Sequence, residues 1–177
     1  MQPHADRYGG LAVTLHWLSA LAVFVLLGSG FAAAWASDAA AKVALLQLHV
    51  PLAIALLVLT LVRIGWRVFK RSAPPSLAGT PRWQAATARA VHLLLYLALL
   101  LMLGSGIALL ITSGAGPVVF GGTGVLPDLT RFAPHTGHVL GALAILALLA
   151  AHIGAVLYHH LVARENILRR MWYQRAR

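Results

Sequence analysis

The sequence predicts an all-α membrane protein, a bundle of four transmembrane helices. Of its 177 residues, 60% are hydrophobic and only 10% charged, too apolar a balance for an ordinary soluble domain. Four apolar runs each reach the roughly 20 residues that cross a hydrocarbon core as a helix. The segments between them are polar, basic or rich in Gly and Pro. One membrane domain over residues 1–177 is expected, with spans near 11–33, 43–65, 88–112 and 137–162 and no separate soluble domain.

The first run carries His16 in its opening turns and ends at Ala34-Trp35-Ala36, the small-residue alternation a signal peptidase prefers. Its 23 residues exceed the roughly 7–15 of a signal-peptide core, so it is read as a retained span. The second run follows Lys42, begins with His49 and Pro51, and ends at Arg63 and Arg67. Pro51 is expected in a first turn, where a missing N–H costs nothing. The third run carries His92, and the fourth carries His138, His152 and His159.

The formal charge of +10 is distributed as membrane topology distributes it. Arg7 precedes the first span. Arg63, Arg67, Lys70, Arg71, Arg82 and Arg89 surround the second connection, and Arg164, Arg169, Arg170, Arg175 and Arg177 follow the last span. Only Lys42 and Arg131 fall on the opposite side. The positive-inside rule therefore expects both termini and the middle connection in the cytoplasm of a bacterial inner membrane. A nucleic-acid-binding reading of the charge is set aside, because four spans already account for it.

No cysteine is present, which excludes disulfides, thiolate-held iron–sulfur clusters and covalently attached c-type haem. Nine histidines remain, and ionisable residues inside spans are rare and mark function. His138 and His152, 14 residues apart, share one helix face within roughly 40° and differ by about 21 Å in depth. His49 falls at the level of His138. His16 and His92 both fall at the level of His152, and depth alone leaves the choice between them open. Two layers of paired imidazoles suit bis-histidine iron in a haem held between helices. Zinc suits them less, since it wants about four ligands converging on one point.

A single histidine near a helix end is equally often an interfacial hydrogen-bonding residue. His4, His135 and His160 are read that way. Gly28, Gly30, Gly104, Gly106, Gly137, Gly141 and Gly154 would let a helix or a flat macrocycle approach closely. Gly137 to Gly141 also fits a plain helix contact.

Together these residues resemble the prokaryotic cytochrome b561 family, in its short stand-alone form that acts as a superoxide:ubiquinone oxidoreductase. The matching stretches are Leu15-His16-Trp17-Leu18, Leu48-His49-Val50 followed by Leu61-Val62-Arg63, Val91-His92 with Tyr96, and His138 with His152 and His159-His160. The resemblance implies two haem b groups. His16 and His152 would ligate one on the cytoplasmic side, and His49 and His138 the other on the periplasmic side. His92 would then be a pocket residue near a propionate or quinone. The wider superfamily includes the cytochrome b subunits of hydrogenase and formate dehydrogenase, which carry more extramembrane chain.

The resulting expectation is a di-haem electron carrier that oxidises superoxide at the periplasmic face and reduces ubiquinone in the membrane. It needs lipid and small redox partners but no obligate protein partner. Arg63 and Arg67 are candidates for haem propionates, or else snorkel to lipid head groups. His159 is a candidate quinone residue, and Lys42 and Arg131 are candidates for steering an anion toward the periplasmic haem. Two rivals remain: a subunit of a dehydrogenase complex, and a non-redox four-span transporter or assembly protein.

Overall fold

The computed structural model describes residues 7–70, 79–121 and 124–173. His4, Arg71, Arg175 and Arg177 lie outside these. The described residues form five α-helices: α1 (Gly10–Trp35), α2 (Ala39–Lys70), α3 (Arg82–Ser113), α4 (Gly116–Val119) and α5 (Ala133–Leu157). A π turn, Tyr158–Val162, prolongs α5, and short 3-10 turns cover Leu129–Arg131 and Ile167–Met171. Four of the helical segments are long and apolar enough to cross a membrane. Tyr8 and Arg170 meet at one end of the bundle, here called the terminal end; the other is the far end.

The helices outrun the apolar runs that announce them, because Ala, Arg and Gln sustain a helix outside hydrocarbon as readily as Leu does inside it. At 32 residues each, α2 and α3 are about 48 Å long, against a hydrocarbon core of about 30 Å. Their excess carries the basic ends out at the terminal end. At the far end the α1–α2 connection shrinks to Ala36–Asp38, and Asp38 starts α2 by accepting from the backbone N–H of Ala41 at 2.7 Å.

Two expectations change as a result. Lys42 sits inside the first turns of α2 instead of preceding it, and Pro51 lies in the helix interior. There its ring removes the bond that would return to the Gln47 carbonyl, two residues from His49, a gap transmembrane helices tolerate. At the end of α3, Gly114 adopts φ 67 and donates its N–H to Ile111 O, a left-handed stop that only glycine takes at no cost.

Packing is pairwise. α1 lies along α2 and α3 along α5, forming two hairpins whose mutual contacts are far sparser. The hairpins join at mid-depth through Ala22, Val23 and Leu26 of α1, Leu56 of α2, Leu103 of α3 and Ile145 of α5. The short α4 closes the far end, with Gln47 of α2 donating to Val118 O at 3.3 Å. At the terminal end the chain after the π turn folds back over α1. Trp17 Nε1 donates to Met171 O at 2.8 Å, the Thr14 and Tyr173 hydroxyls bond at 2.9 Å, and Trp17 meets Trp172 edge-on. This strap carried no signal in the sequence beyond its basic charge.

Leu56, 1% exposed, is the most enclosed large side chain of the join. Leu56→Ala should lower stability by about 2 kcal/mol, chiefly through the cavity left between the hairpins. Denaturant unfolding in detergent measures it.

Candidate histidine layers

The mid-depth join separates two layers of polar groups. At the far end the rings of His49 on α2 and His138 on α5 face each other with centroids 6.2 Å apart and planes 68° apart. At the terminal end His16 on α1 and His152 on α5 stand 6.4 Å apart at 66°. His92 on α3 is also there, 5.2 Å from His152. Depth and helix face thus bring together the residues that the sequence grouped, and each pair bridges the two hairpins.

Ring spacing differs among the candidates that depth leaves together. A metal–imidazole bond is about 2.0–2.1 Å and a ring centroid lies about 1.1 Å behind its nitrogen, so two imidazoles that held one ion from opposite sides would have centroids about 6.2–6.4 Å apart. His49–His138 and His16–His152 have that spacing. His92–His152 is about 1 Å too short for it. Among the described residues no three His, Asp or Glu side chains converge on one point as a zinc site would require.

The far layer is held alike on both sides. His49 Nδ1 bonds Ser29 Oγ of α1 at 3.1 Å, and His138 Nδ1 bonds Ser105 Oγ of α3 at 3.1 Å. The glycine after each serine leaves room for the ring: a Cβ on Gly30 would sit 3.1 Å from His49 Cε1, and one on Gly106 3.1 Å from His138 Cε1. These two glycines serve the approach of a ring. Gly141 serves the contact of α5 with Met102 of α3, whereas a Cβ on Gly28, Gly104, Gly137 or Gly154 meets nothing within 4 Å. The helix-contact reading of Gly137 and Gly141 therefore applies to Gly141 alone.

In the terminal layer Arg63 points inward, donating from its guanidinium to His16 Nδ1 at 3.1 Å and lying 5.6 Å over the Tyr96 ring. Arg63 thus does not snorkel outward to lipid. Arg67, one turn on, is exposed. A guanidinium has only donors, so His16 Nδ1 accepts here. Binding metal through His16 Nε2 requires Arg63 to turn to another acceptor, and a carboxylate is the natural one.

His159 does not simply continue the stripe of His152. The π turn inserts a residue, a feature frequent at functional sites. The His159 Nδ1 then bonds Glu165 Oε2 at 2.7 Å. Glu165 is brought back by Arg164 in the left-handed region at φ 56 and by its own N–H donating to His159 O at 2.8 Å. Sequence reasoning missed Glu165, although it was one of only 4 acidic residues in the chain. His160 is exposed beside it. A cavity of about 460 Å³ lined by Arg7, Tyr8, Val13, Trp172 and Tyr173 lies against the strap and includes none of the histidines.

At the far end Arg131 pairs with Asp128 at 3.1 Å, both exposed. Hydrogen bonds from the Thr130 hydroxyl and amide, then from Arg131, hold the Asp128 carboxyl below its usual range, so it stays charged at physiological pH and offsets Arg131. Lys42 is half-buried on the first turns of α2, and His135 half-buried on the first turn of α5.

A four-span bundle with imidazoles paired across it at 6.2 and 6.4 Å suits a class of membrane proteins, those that hold a b-type haem between helices. The model of that class described as prokaryotic cytochrome b561 matches residues 7–174, and the chain belongs to this family. It is 31% identical to cytochrome b561 homolog 2 of Escherichia coli K12 over 94% of this chain and 91% of that protein. It is 28% identical to cytochrome b561 homolog 1 of the same organism over 96% and 99%. The family makes this a membrane b-type haem electron-transfer protein.

Gly30→Ala or Gly106→Ala should displace the neighbouring ring by a few tenths of an ångström. On the reading of His49 and His138 as ligands of one of two haems, proposed below, the ferric low-spin EPR signal, which depends on the angle between ligand planes, should change in one haem component only. Equal change in every component would contradict this local effect.

Proposed function

We propose that the chain, acting as one domain over residues 1–177, holds two haem b groups and carries electrons from superoxide on the periplasmic side to ubiquinone. His49 and His138 would ligate the far-end haem and His16 and His152 the terminal-end haem, with the termini in the cytoplasm of the inner membrane. The observation that carries this reading is the spacing of the two ring pairs, 6.2 and 6.4 Å, each bridging the two hairpins. When bound, the haems supply reversible one-electron chemistry across the low-dielectric bundle.

The chain's own residues do the rest. Two superoxide anions each give up one electron and leave as dioxygen, and ubiquinone takes two electrons and two protons to become quinol. Lys42 would draw the anion toward the far layer. Arg131 contributes less, because Asp128 neutralises it. Arg63, freed from His16, would bind a propionate with Arg67 beside it, and His92 would line the same pocket. His159 would hydrogen-bond a quinone oxygen through Nε2 while Glu165 holds Nδ1.

The test follows haem reduction in the purified protein. Superoxide should reduce it rapidly, and Lys42→Glu should slow this about 10-fold at low salt, more than Arg131→Glu does. Reduction by quinol should stay unchanged in both variants and be lost in His159→Ala with both haems intact. A wild-type protein that superoxide does not reduce would remove superoxide as donor. A superoxide rate unmoved by Lys42→Glu would remove the steering role.

A further inference from the structure

The two hairpins repeat one another in sequence. Leu27-Gly28-Ser29-Gly30 on α1 matches Leu103-Gly104-Ser105-Gly106 on α3, and twelve residues before the first glycine of each stands a histidine, His16 or His92. Each hairpin's second helix carries a histidine near its start, His49 or His138, and fourteen residues later stand Arg63 and His152. The far layer preserves this two-fold relation, with serine–histidine distances of 3.1 Å on both sides and the same approach of ring to glycine. The terminal layer breaks it, since Arg63 occupies the position equivalent to His152.

The serines are not free to act as donors toward the rings. Ser29 Oγ donates to Leu26 O at 3.3 Å and Ser105 Oγ to Met102 O at 2.8 Å, which commits both hydroxyl protons to the preceding helical turn. Their lone pairs then face the imidazoles, an arrangement in which Nδ1 of His49 and of His138 carries the ring proton and donates it to serine. Nε2 is thereby bare on both rings, the form a metal ligand needs. Ser29 is only 6% exposed and has no competing solvent partner.

We propose that Ser29 and Ser105 are paired positioning residues of the far-end centre, which lock the tautomer of His49 and His138 and raise their basicity toward iron. The inference rests on the reading of those histidines as ligands of one haem. A donor bond at Nδ1 makes imidazole a stronger ligand and favours the more positive ferric ion, so it lowers the midpoint potential. In the terminal layer Arg63 takes the place of the serine at His16 Nδ1, so the two layers are supported by different chemistry in this structure.

The test is a redox titration of purified holoprotein, wild type against Ser29→Ala, Ser105→Ala, the double variant, and Ser29→Thr with Ser105→Thr. Threonine keeps the hydroxyl and its bond to the preceding turn. His138→Ala identifies the component belonging to the far-end haem as the one it removes. In the alanine variants that component should titrate at higher potential, furthest in the double variant, while the other stays in place and the threonine variants follow wild type. Loss of that single haem with alanine but not with threonine supports the same role. Alanine variants that keep both haems with unmoved midpoints, or threonine variants that shift as far as alanine, overturn it. If His138→Ala removes no component, the ligand reading itself has failed, and the inference falls with it for that separate reason.

Discussion

Everything in this structure answers to one constraint: imidazoles on different hairpins must face each other inside hydrocarbon at a fixed distance. A polar ring there needs a partner for each nitrogen, because no water supplies one. The fold meets the demand by sending His49 and His138, and His16 and His152, across the sparse seam between the α1–α2 and α3–α5 hairpins. The apolar join at mid-depth closes that seam between the layers. Pairwise helix packing, inward small residues and the strap over α1 all serve this arrangement.

The two layers meet the demand by different means. The far layer uses neutral groups, a serine hydroxyl for each Nδ1 and a glycine to let each ring come close. The terminal layer uses charge: Arg63 lies against His16 and over Tyr96, and farther out Glu165 holds His159. That difference in polarity is what the proposed electron path would use, from a small donor at the far end to a proton-exchanging acceptor at the terminal end.

Much of this was legible in the sequence. Four runs of about 20 apolar residues sufficed for the fold class, since only a helix satisfies its own backbone in lipid. The fourteen-residue interval between His138 and His152 sufficed for the layers, since helical periodicity returns it to one face. Helix ends were not legible, because hydropathy marks the hydrocarbon boundary and not the last hydrogen bond, and so Lys42 and Pro51 lie deeper in α2 than expected. The support of the far layer was missed although its signal, a Gly-Ser-Gly repeated on α1 and α3, is plain in the chain. Small residues in a span first suggest helix contacts, and only the ring distances single out Gly30 and Gly106. The His159–Glu165 pair depends on a π turn and a left-handed Arg164, for which neither composition nor spacing gives a signal.

The central claim is that each histidine pair clamps one iron. Anomalous diffraction at the iron absorption edge from crystals of the holoprotein locates the metal without reference to any sequence argument. Two iron peaks are predicted, one midway between the His49 and His138 rings and one midway between His16 and His152, about 20 Å apart along the bundle. A single peak, or a terminal-end iron bound by His92 in place of His16, would contradict the account.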